Sequence, residues 1–278
     1  MTKMKNTIAI QGAQGSNHHK VAKDFYGENV LLKECMSFDV LVDALLTKNA
    51  TQGIMAIENT IAGSIIPNYA LIDANNLHIC GEEYLNIHHH LMALNGQKME
   101  DIKEVCSHPM ALLQCKEFFK KYPQIKLVED VDTAEVAKRI AKNQIKGVAA
   151  IAPKIAADIF GLNILEDNIQ TIKDNATRFV IVQTDKPDNA KDEINKASLK
   201  FELDHKRGSL AAILNVLSDC KMNLTKIQSL PVIESPWKYA FFVDVTFDAF
   251  TDYQKAIAII KIMAEEFKVL GTYKNGRK

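Results

Sequence analysis

Residues 7–26 read TIAIQGAQGSNHHKVAKDFY, a short apolar run followed by a loop with two glycines and a helical stretch. The apolar run predicts a strand, the glycines predict a turn, and the remainder predicts a helix. Two further strand-like segments, at residues 30–35 and 53–57, flank a stretch whose apolar side chains recur at helical spacing. Repetition of strand, helix and strand is typical of a parallel sheet with helices on its faces, and such sheets bind ligands at the carboxyl ends of their strands.

The alternation continues along the chain to residue 182. Pro109, Thr133 and Pro153 each stand where a helix is expected to open, because proline and threonine are common at helix starts. Strand-like apolar runs lie at residues 148–151 and 179–182. The fold class predicted for this region is therefore α/β.

The composition excludes several classes of protein. The chain has 278 residues, 34 basic and 34 acidic, and 47% of them are hydrophobic, which is enough to form a packed core and excludes general disorder. Zero net charge does not favour a nucleic-acid partner. We expect no membrane span and no signal peptide, and hence a cytoplasmic location, because no apolar run is long enough for either. The five cysteines are scattered without a CxxC pair, so we expect buried thiols.

The composition changes at residues 183–197, QTDKPDNAKDEINKA, where Ile194 is the one large apolar residue. Such a polar stretch is typical of a linker. We therefore predict a first domain at 1–183, a linker at 184–196 and a second domain at 197–278.

The second domain has its own pattern of strands and helices. Its apolar spacing predicts the order βαββαβ, the ferredoxin-like arrangement, which by itself names no function. In the strand near residues 241–248, aromatic or β-branched side chains alternate with polar ones. We expect the polar face, which includes Asp244, to point to solvent or to a partner.

The first candidate site residues follow the apolar run at 54–57. Glu58, Asn59 and Thr60 supply a carboxylate, an amide and a hydroxyl at the end of a predicted strand, which suits a binding cleft. A capped helix start is an equally good interpretation of this fragment alone.

A second pair of candidates is Ser107 and Gln114. They are seven residues apart, so two helical turns bring them to nearly the same side, where they can hold one ligand. The alternative is a polar helix start followed by an exposed glutamine.

The third segment is DNATRFVIV, in which Thr177 and Arg178 stand just before a strand. A guanidinium there is able to pair with a ligand carboxylate through two hydrogen bonds, although an arginine in a surface ion pair is the commoner case. In the loop from Gly12 to Gly15, backbone amides at a helix start suit an anion, but a plain turn explains the two glycines as well.

The histidines fall in two groups, at residues 18–19 and 88–90. In a strand, His89 points one way and its two neighbours point the other, and no acidic residue stands at zinc-ligand spacing on a nearby helix. The pattern therefore does not favour a metal site.

Taken together, these segments resemble the prephenate dehydratases over nearly the whole chain. The family's motifs appear in the family's order, as IENTIAGS, CSHPMALLQC, VAAIAPKIAADIFGLNILEDNIQT and NATRFVIV. The C-terminal part resembles an ACT domain, an amino-acid-sensing βαββαβ module, through LKFELDHKRGSLAAIL and NLTKIQSLPVIESPWKYAFFVDV. Because few residues precede the first motif, we expect the monofunctional form, without the chorismate mutase domain of some relatives.

The resemblance implies a two-lobed catalytic domain of the type II periplasmic-binding-protein kind, followed by the ACT domain. Residues of about 81–166 are expected to form the inserted second lobe, with the active site between the lobes. The implied reaction converts prephenate to phenylpyruvate, carbon dioxide and water, with no cofactor and no metal.

The resemblance also assigns roles to residues. Thr177 corresponds to the family's essential threonine, and because a threonine hydroxyl is a poor acid, we expect it to donate a hydrogen bond within a relay rather than act as a lone general acid. Glu58 is a candidate to hold the proton of that relay. The implied catalytic residues are Thr177, Glu58, Asn59, Ser107 and Gln114. The implied substrate-binding residues are Arg178, Phe179, Thr60, Gly15 and Ser16.

The sequence departs from the family's pattern at three places. His18 stands where the family commonly has a serine, and both ACT signatures are altered, the second lacking its charged glutamate and arginine. We still expect an amino acid, L-phenylalanine, at an interface between two ACT domains, and hence a homodimer or homotetramer. The implied allosteric residues are Gly208, Ser209, Leu210, Gln228, Ser229, Leu230 and Pro231.

Two other functions fit the same segments. One is an arogenate dehydratase, which acts on the aminated analogue of prephenate. The other is a noncatalytic two-lobed binding protein for an amino acid or keto acid, although such a receptor has no use for Glu58, Thr177 and Gln114 together in one cleft.

Overall fold

The computed structural model describes most of the chain, namely residues 6–187, 193–204, 206–232, 235 and 238–277. The chain forms two compact units. Unit 1 comprises residues 1–63 and 84–179, and unit 2 comprises residues 64–83 and 180–278.

Strands and helices alternate at the start of the chain, as the sequence predicts. The elements are β1 (Thr7–Gln11), α1 (Asn17–Tyr26), β2 (Leu31–Cys35), α2 (Phe38–Leu46), β3 (Gln52–Asn59) and the two-residue β4 (Gly63–Ser64). Strand β1 pairs in parallel with β2 and with β3. Ser16 and Ser37 cap the two helices, each accepting a hydrogen bond from a backbone N–H of the first turn.

Three further elements are α3 (Ile66–Ala74), β5 (His78–Asn86) and, much later in the chain, β11 (Ala176–Gln183). The first sheet has the strand order β2-β1-β3-β11-β5, with β4 beside β3. Strand β11 therefore lies next to β3, which brings Thr177 to the strand that carries Asn59.

The second sheet belongs wholly to unit 1. Its elements are β6 (His90–Ala93), β7 (Glu104–Ser107), α4 (Pro109–Phe119), β8 (Lys126–Glu129), α5 (Thr133–Asn143), β9 (Val148–Ala152), α6 (Lys154–Phe160) and β10 (Asn163–Glu166), with a 3-10 turn at Met99–Asp101. The strand order is β10-β6-β9-β7-β8, and apolar clusters fill both faces. Helices α4 and α5 begin at the predicted residues Pro109 and Thr133, and Pro153 caps α6.

Unit 2 contains the predicted βαββαβ order. Its elements are β12 (Lys196–Glu202), α7 (Ser209–Asp219), β13 (Asn223–Pro231), β14 (Tyr239–Thr246), α8 (Phe250–Met263) and β15 (Glu266–Tyr273). The four strands form one antiparallel sheet in the order β13-β14-β12-β15. Both helices pack with this sheet around one apolar core.

The prediction that the polar face of this sheet points to solvent or to a partner is wrong for Asp244, which is buried. Asp244 accepts a hydrogen bond from Ser198, its neighbour across β12 and β14. On the same face of β12, Lys196 binds Glu82 at 2.8 Å and Lys200 binds Asp73 at 2.9 Å. Residues 64–83 of unit 2 thus cover this face, and their carboxylates satisfy its lysines.

Part of the predicted linker, residues 188–192, lies outside the described residues. Strand β12 begins at Lys196, the last residue of that linker. Within the described parts of the chain, no helix is both long enough and apolar enough to cross a bilayer.

Candidate active site

Asn59 ends strand β3 and fixes the turn that follows it. Its side-chain oxygen accepts hydrogen bonds from the backbone N–H groups of Ile61, at 3.0 Å, and Ala62, at 2.9 Å. An asparagine that holds the next backbone turn in this way forms an Asx turn. No helix begins until Ile66, so the alternative of a capped helix start at this segment is wrong.

The two backbone bonds determine which way the amide of Asn59 faces. Since Oδ1 accepts from the backbone, Nδ2 donates, and it reaches Thr177 Oγ1 at 2.9 Å and Asn175 Oδ1 at 2.6 Å. Asn59 is thus the direct partner of Thr177 and the first link of a longer chain of hydrogen bonds.

The series of hydrogen bonds continues from Asn175 to Gln114 on α4 and to His89 just before β6. Asn175 Nδ2 donates to Gln114 Oε1 at 3.0 Å, and His89 Nε2 lies 2.8 Å from the same oxygen. Thr177, Asn59, Asn175, Gln114 and His89 are called the amide network below. It brings residues of β3, β11, α4 and the segment before β6 to one place in unit 1.

The amide network carries no charge. Burial lowers the pKa of His89, and the hydrogen bond with Gln114 opposes that shift without cancelling it, so the imidazole is neutral at pH 7. Thr177 is 7% exposed, and its oxygen accepts from Asn59. The hydroxyl proton of Thr177 therefore remains to be donated to a ligand.

Thr60 ties the same two strands together beside the network. Its backbone N–H donates to the Ala176 carbonyl at 2.9 Å, and its Oγ1 accepts from the Ala176 N–H at 2.9 Å. Glu58 is half-buried near the end of β3. Its part in proton transfer remains a prediction.

Arg178 and Phe179 follow Thr177 along β11, and both are buried. A surface ion pair is therefore the wrong interpretation of Arg178. Phe179 is 1% exposed and meets the ring of His18 edge to face, with 4.9 Å between ring centroids. This environment favours a packing role for Phe179 over direct substrate contact.

His18 lies in an apolar environment against Phe38 and Phe179. Burial lowers its pKa to about 3. A neutral imidazole of this kind acts as a packing group behind β11.

The backbone amides of Gly15 and Ser16 already have partners inside their own loop. Gly15 N–H donates to His19 Nδ1 at 3.0 Å, and Ser16 N–H donates to the Ala13 carbonyl at 3.2 Å. The expectation that these amides hold a substrate carboxylate is not supported, because neither proton is left to donate. The alternative of a turn is confirmed.

The loop needs glycine because it approaches helices of the second sheet closely. Gly12 has φ +89°, and a Cβ there would lie 2.6 Å from Asp132 Oδ2. Gly15 has φ +91°, and a Cβ there would lie 3.0 Å from the Cα of Ala156. Both positions have a left-handed backbone that favours glycine, and a Cβ would clash at Gly12 and make a tight contact at Gly15.

Ser107 is placed differently from the sequence-based expectation. It is the last residue of β7 rather than a helical residue, and it is fully buried, donating from Oγ to the Ile151 carbonyl at 2.7 Å. Gln114 lies on α4 and bonds into the amide network. The expectation that two helical turns bring Ser107 and Gln114 to the same side is therefore wrong, because Ser107 is not part of the helix.

The histidine run 88–90 alternates as predicted. His89 bonds to Gln114, whereas His88 and His90 line a cavity of about 340 Å³ together with Lys20 and Lys154. None of the amide network residues lines that cavity.

Asn175 and His89 belong to the site but were not predicted from the sequence. Asn175 stood within the quoted NATRFVIV segment, and His89 stood alone on one side of its run. Neither position indicates a site by itself, because Asn175 and His89 are 61 and 25 residues from Gln114 in the sequence and the fold brings them together.

Comparisons with known proteins cover almost the whole chain. The family model described as prephenate dehydratase matches residues 8–187. Arogenate dehydratase 2 of Petunia hybrida is 36% identical over 96% of this chain and 71% of its own length. The bifunctional chorismate mutase/prephenate dehydratase of Buchnera aphidicola subsp. Acyrthosiphon pisum is 30% identical over 96% of this chain and 70% of its own length.

Among solved structures, the prephenate dehydratase of Arthrobacter aurescens, in complex with L-Phe, matches with a TM-score of 0.85. The sequences are 23% identical, and the match covers 97% of this chain and 90% of that one. At this identity the likeness is one of fold.

Proposed function

The chain belongs to the prephenate dehydratase family, and on that premise we propose that Thr177 is the hydrogen-bond donor with which it converts prephenate to phenylpyruvate. The observation that carries the proposal is the bond from Asn59 Nδ2 to Thr177 Oγ1. Because the oxygen of Thr177 accepts this bond, its proton is free for the leaving hydroxyl group of the substrate.

The reaction breaks two bonds of prephenate. The electron pair of the bond between the ring and its carboxylate moves into the ring, carbon dioxide departs, and the C4–oxygen bond breaks as the ring becomes aromatic. The departing oxygen takes one proton and leaves as water. A donor aimed at that oxygen stabilises the charge that develops on it.

The network behind Thr177 orients the donor and does not itself move a proton. Amide side chains neither gain nor lose protons near neutral pH, so Asn59, Asn175 and Gln114 are poor carriers. The proton lost by the Thr177 hydroxyl must be replaced from the substrate side of the site. Glu58 is our candidate for that source, and a changed pH profile of kcat in Glu58→Gln is the expected sign.

Substrate binding is assigned to residues around this donor. We propose that Arg178 pairs with a carboxylate of the dianionic substrate, since a guanidinium matches that group with two hydrogen bonds. Gln114 keeps its side-chain N–H groups available to a ligand, because its oxygen takes the two network bonds. The remaining proposed site residues are Ser107 and Thr60, and we propose that Phe179 supports the site by packing against His18.

The test is phenylpyruvate formation from prephenate by the wild type and by Thr177→Ala, with prephenate binding measured by calorimetry. We expect turnover to collapse in the variant while binding persists. Turnover that survives the substitution contradicts the role of Thr177.

Arogenate is a second candidate substrate, favoured by the 36% identity to a protein named arogenate dehydratase. The two substrates differ in a keto or amino group on the side chain. Comparing kcat/KM of the wild type on prephenate and on arogenate decides between them.

We also propose that the βαββαβ part of unit 2 is an ACT domain that senses L-phenylalanine. Gly208 adopts φ +82° at the start of α7, and that helix has no side-chain cap, which suits a site for an amino-acid carboxylate. Ser209 and Leu210 follow Gly208, and the second segment, Gln228–Pro231, lies on β13. Inhibition of wild-type turnover by L-phenylalanine, with calorimetric binding, tests this proposal.

A homodimer or homotetramer is proposed on the same grounds. Strand β13 is an edge of its sheet, and its residues are exposed or half-exposed along its length. Such edges commonly pair with another chain. The mass of the protein in solution, with and without L-phenylalanine, tests the assembly.

A further inference from the structure

His89 reaches the catalytic centre without being one of its proposed residues. His89 is 4% exposed, and its Nε2 lies 2.8 Å from Gln114 Oε1. The backbone of His89 is held on both sides, since its N–H donates to Gln170 Oε1 at 3.0 Å and its carbonyl accepts from Ile169 N–H at 2.9 Å. The imidazole is therefore presented to Gln114 from a fixed position.

The direction of every bond in the amide network follows from its first link. The backbone N–H groups of Ile61 and Ala62 require Asn59 to face them with its oxygen. Asn59 Nδ2 then donates to Asn175, so Asn175 must donate to Gln114 through its own Nδ2. Gln114 must therefore present Oε1, which leaves His89 to donate from Nε2.

The other ring nitrogen of His89 bears on why an imidazole stands at this position. His89 Nδ1 is fully buried and has no hydrogen-bond partner among the described residues. Leaving a buried acceptor unpaired costs roughly 1–3 kcal/mol. An apolar side chain of similar size would avoid that penalty, so a packing role alone does not explain an imidazole here.

We propose that His89 is a positioning residue of the dehydratase, which donates from Nε2 to hold Gln114 and, through Asn175 and Asn59, the hydroxyl of Thr177. This inference rests on the proposed role of Thr177. Without the His89 donor, Gln114 Oε1 keeps only one of its two network bonds, the one from Asn175, so the side chain is held less tightly and the centre of the network is weakened.

Two substitutions separate the donor from the bulk of the ring. His89→Gln places an amide N–H close to the position of Nε2, whereas His89→Leu keeps a buried side chain without a donor. We expect His89→Leu to lower kcat by about 10- to 100-fold, the scale of a small misplacement of a catalytic group. We expect KM for prephenate to change less than threefold, and His89→Gln to restore kcat to within about fivefold of the wild type.

A double-mutant cycle with Gln114→Ala shows whether His89 acts through Gln114. We expect His89→Leu to lower kcat further by less than twofold in the Gln114→Ala background. An equal loss in both backgrounds overturns the proposal, as does a His89→Gln enzyme no better than His89→Leu. Thermal unfolding of each variant identifies any that has lost its fold, and the cycle is then repeated with His89→Met.

The assay includes wild type and Thr177→Ala, so that the two proposals fail in different ways. If Thr177→Ala retains turnover, the proposed function of Thr177 is wrong. If Thr177→Ala is inactive while His89→Leu matches the wild type, the role of His89 is wrong and that of Thr177 stands.

Discussion

The amide network of unit 1 and the lysine-bearing face of β12 in unit 2 pair their buried polar groups in different ways. Both are buried and polar, but the network uses neutral amides, a hydroxyl and a neutral imidazole, whereas the β12 face uses lysines and carboxylates. Lys196 and Glu82 have side chains only 3% and 0% exposed, 2.8 Å apart. A charge buried in this way is stable only while its partner is present.

The difference indicates what each region can do. A network without charges can hold a hydroxyl in one orientation while leaving the charge of a dianionic substrate to be met elsewhere, by Arg178 in our proposal. The β12 face has its charges paired inside the protein, which fixes residues 64–83 on the sheet and leaves those charges unsuited to binding a ligand. Each of the following predictions tests one side of this contrast.

The largest expected effect is on the stability of unit 2. Replacing Lys196 by Met leaves Glu82 charged and buried, and losing one partner of a buried pair typically costs about 3–5 kcal/mol. We expect a loss of this size in the free energy of unfolding, measured by urea denaturation.

The matched control is the double variant Lys196→Met/Glu82→Met. Replacing both partners by apolar groups is often neutral, so we expect most of the lost stability to return. If the double variant is as unstable as the single one, Lys196 stabilises the protein by something other than its ion pair with Glu82.

The next effect is on turnover. Thr177→Val keeps the shape of the side chain but removes its proton, and the loss of one donor at a developing negative charge typically lowers kcat by about 10²- to 10³-fold. Thr177→Ser keeps the hydroxyl and is the control, expected within about tenfold of wild type on the same grounds. Equal losses in both variants would assign the effect to packing.

The helix and strand pattern, but not the burial of β12, was predictable from the sequence. Pro109 and Thr133 open helices as predicted because helix starts depend on local chemistry. In β12, Lys196 and Lys200 alternate with apolar residues, a pattern typical of a half-exposed strand. Every residue of β12 is buried nevertheless, because Asp73 and Glu82, more than a hundred positions earlier, cover the polar face.

Prediction of the site residues from the sequence is limited in the same way, by contacts between distant parts of the chain. Thr177, Asn59 and Gln114 were identified through motifs, and the structure joins all three. His89 and Asn175 were missed because their bonds to Gln114 depend on tertiary placement. The backbone amides of Gly15 and Ser16 were predicted to bind substrate, but the motif does not show which groups accept their hydrogen bonds. The Gly15 N–H, for example, donates to the side chain of His19.

The buried, neutral imidazole of His18 in unit 1 predicts that the protein loses stability in acid. Burial lowers the pKa of His18 from 6.5 to about 3, so the folded protein resists a proton that the unfolded chain accepts. The stability contributed by neutral His18 is present above pH 6.5 and is lost as pH falls from 6.5 towards 3, at up to about 1.4 kcal/mol per pH unit.

His18→Leu removes this proton linkage. Relative to wild type, we expect the variant's unfolding free energy to improve by about 2 kcal/mol when the pH is changed from 7.5 to 5. Urea unfolding at the two pH values measures it. A difference between the proteins that does not change with pH would show that His18 takes a proton in the folded state.

The smallest expected effect on stability concerns a more exposed ion pair, between Lys268 and Asp73, beside the lysine-bearing face of β12. Lys268 binds Asp73 at 2.8 Å, but their side chains are 24% and 20% exposed. Burial raises the pKa of Asp73, yet hydrogen bonds from Lys268 and Lys200 outweigh that effect and hold the pKa below its usual range. Because water screens this pair, we expect Lys268→Met to cost only about 1 kcal/mol, far less than Lys196→Met.

The pH dependence of that cost identifies its origin. A carboxylate with a lowered pKa contributes stability above the pKa it has when unfolded, about 3.9, and the contribution is lost as pH falls through the folded value. The difference in unfolding free energy between wild type and Lys268→Met should therefore persist at pH 5, where His18 already weakens both proteins equally, and shrink below about pH 4. A difference that shrinks between pH 6.5 and 5 would tie Lys268 to a histidine instead of Asp73.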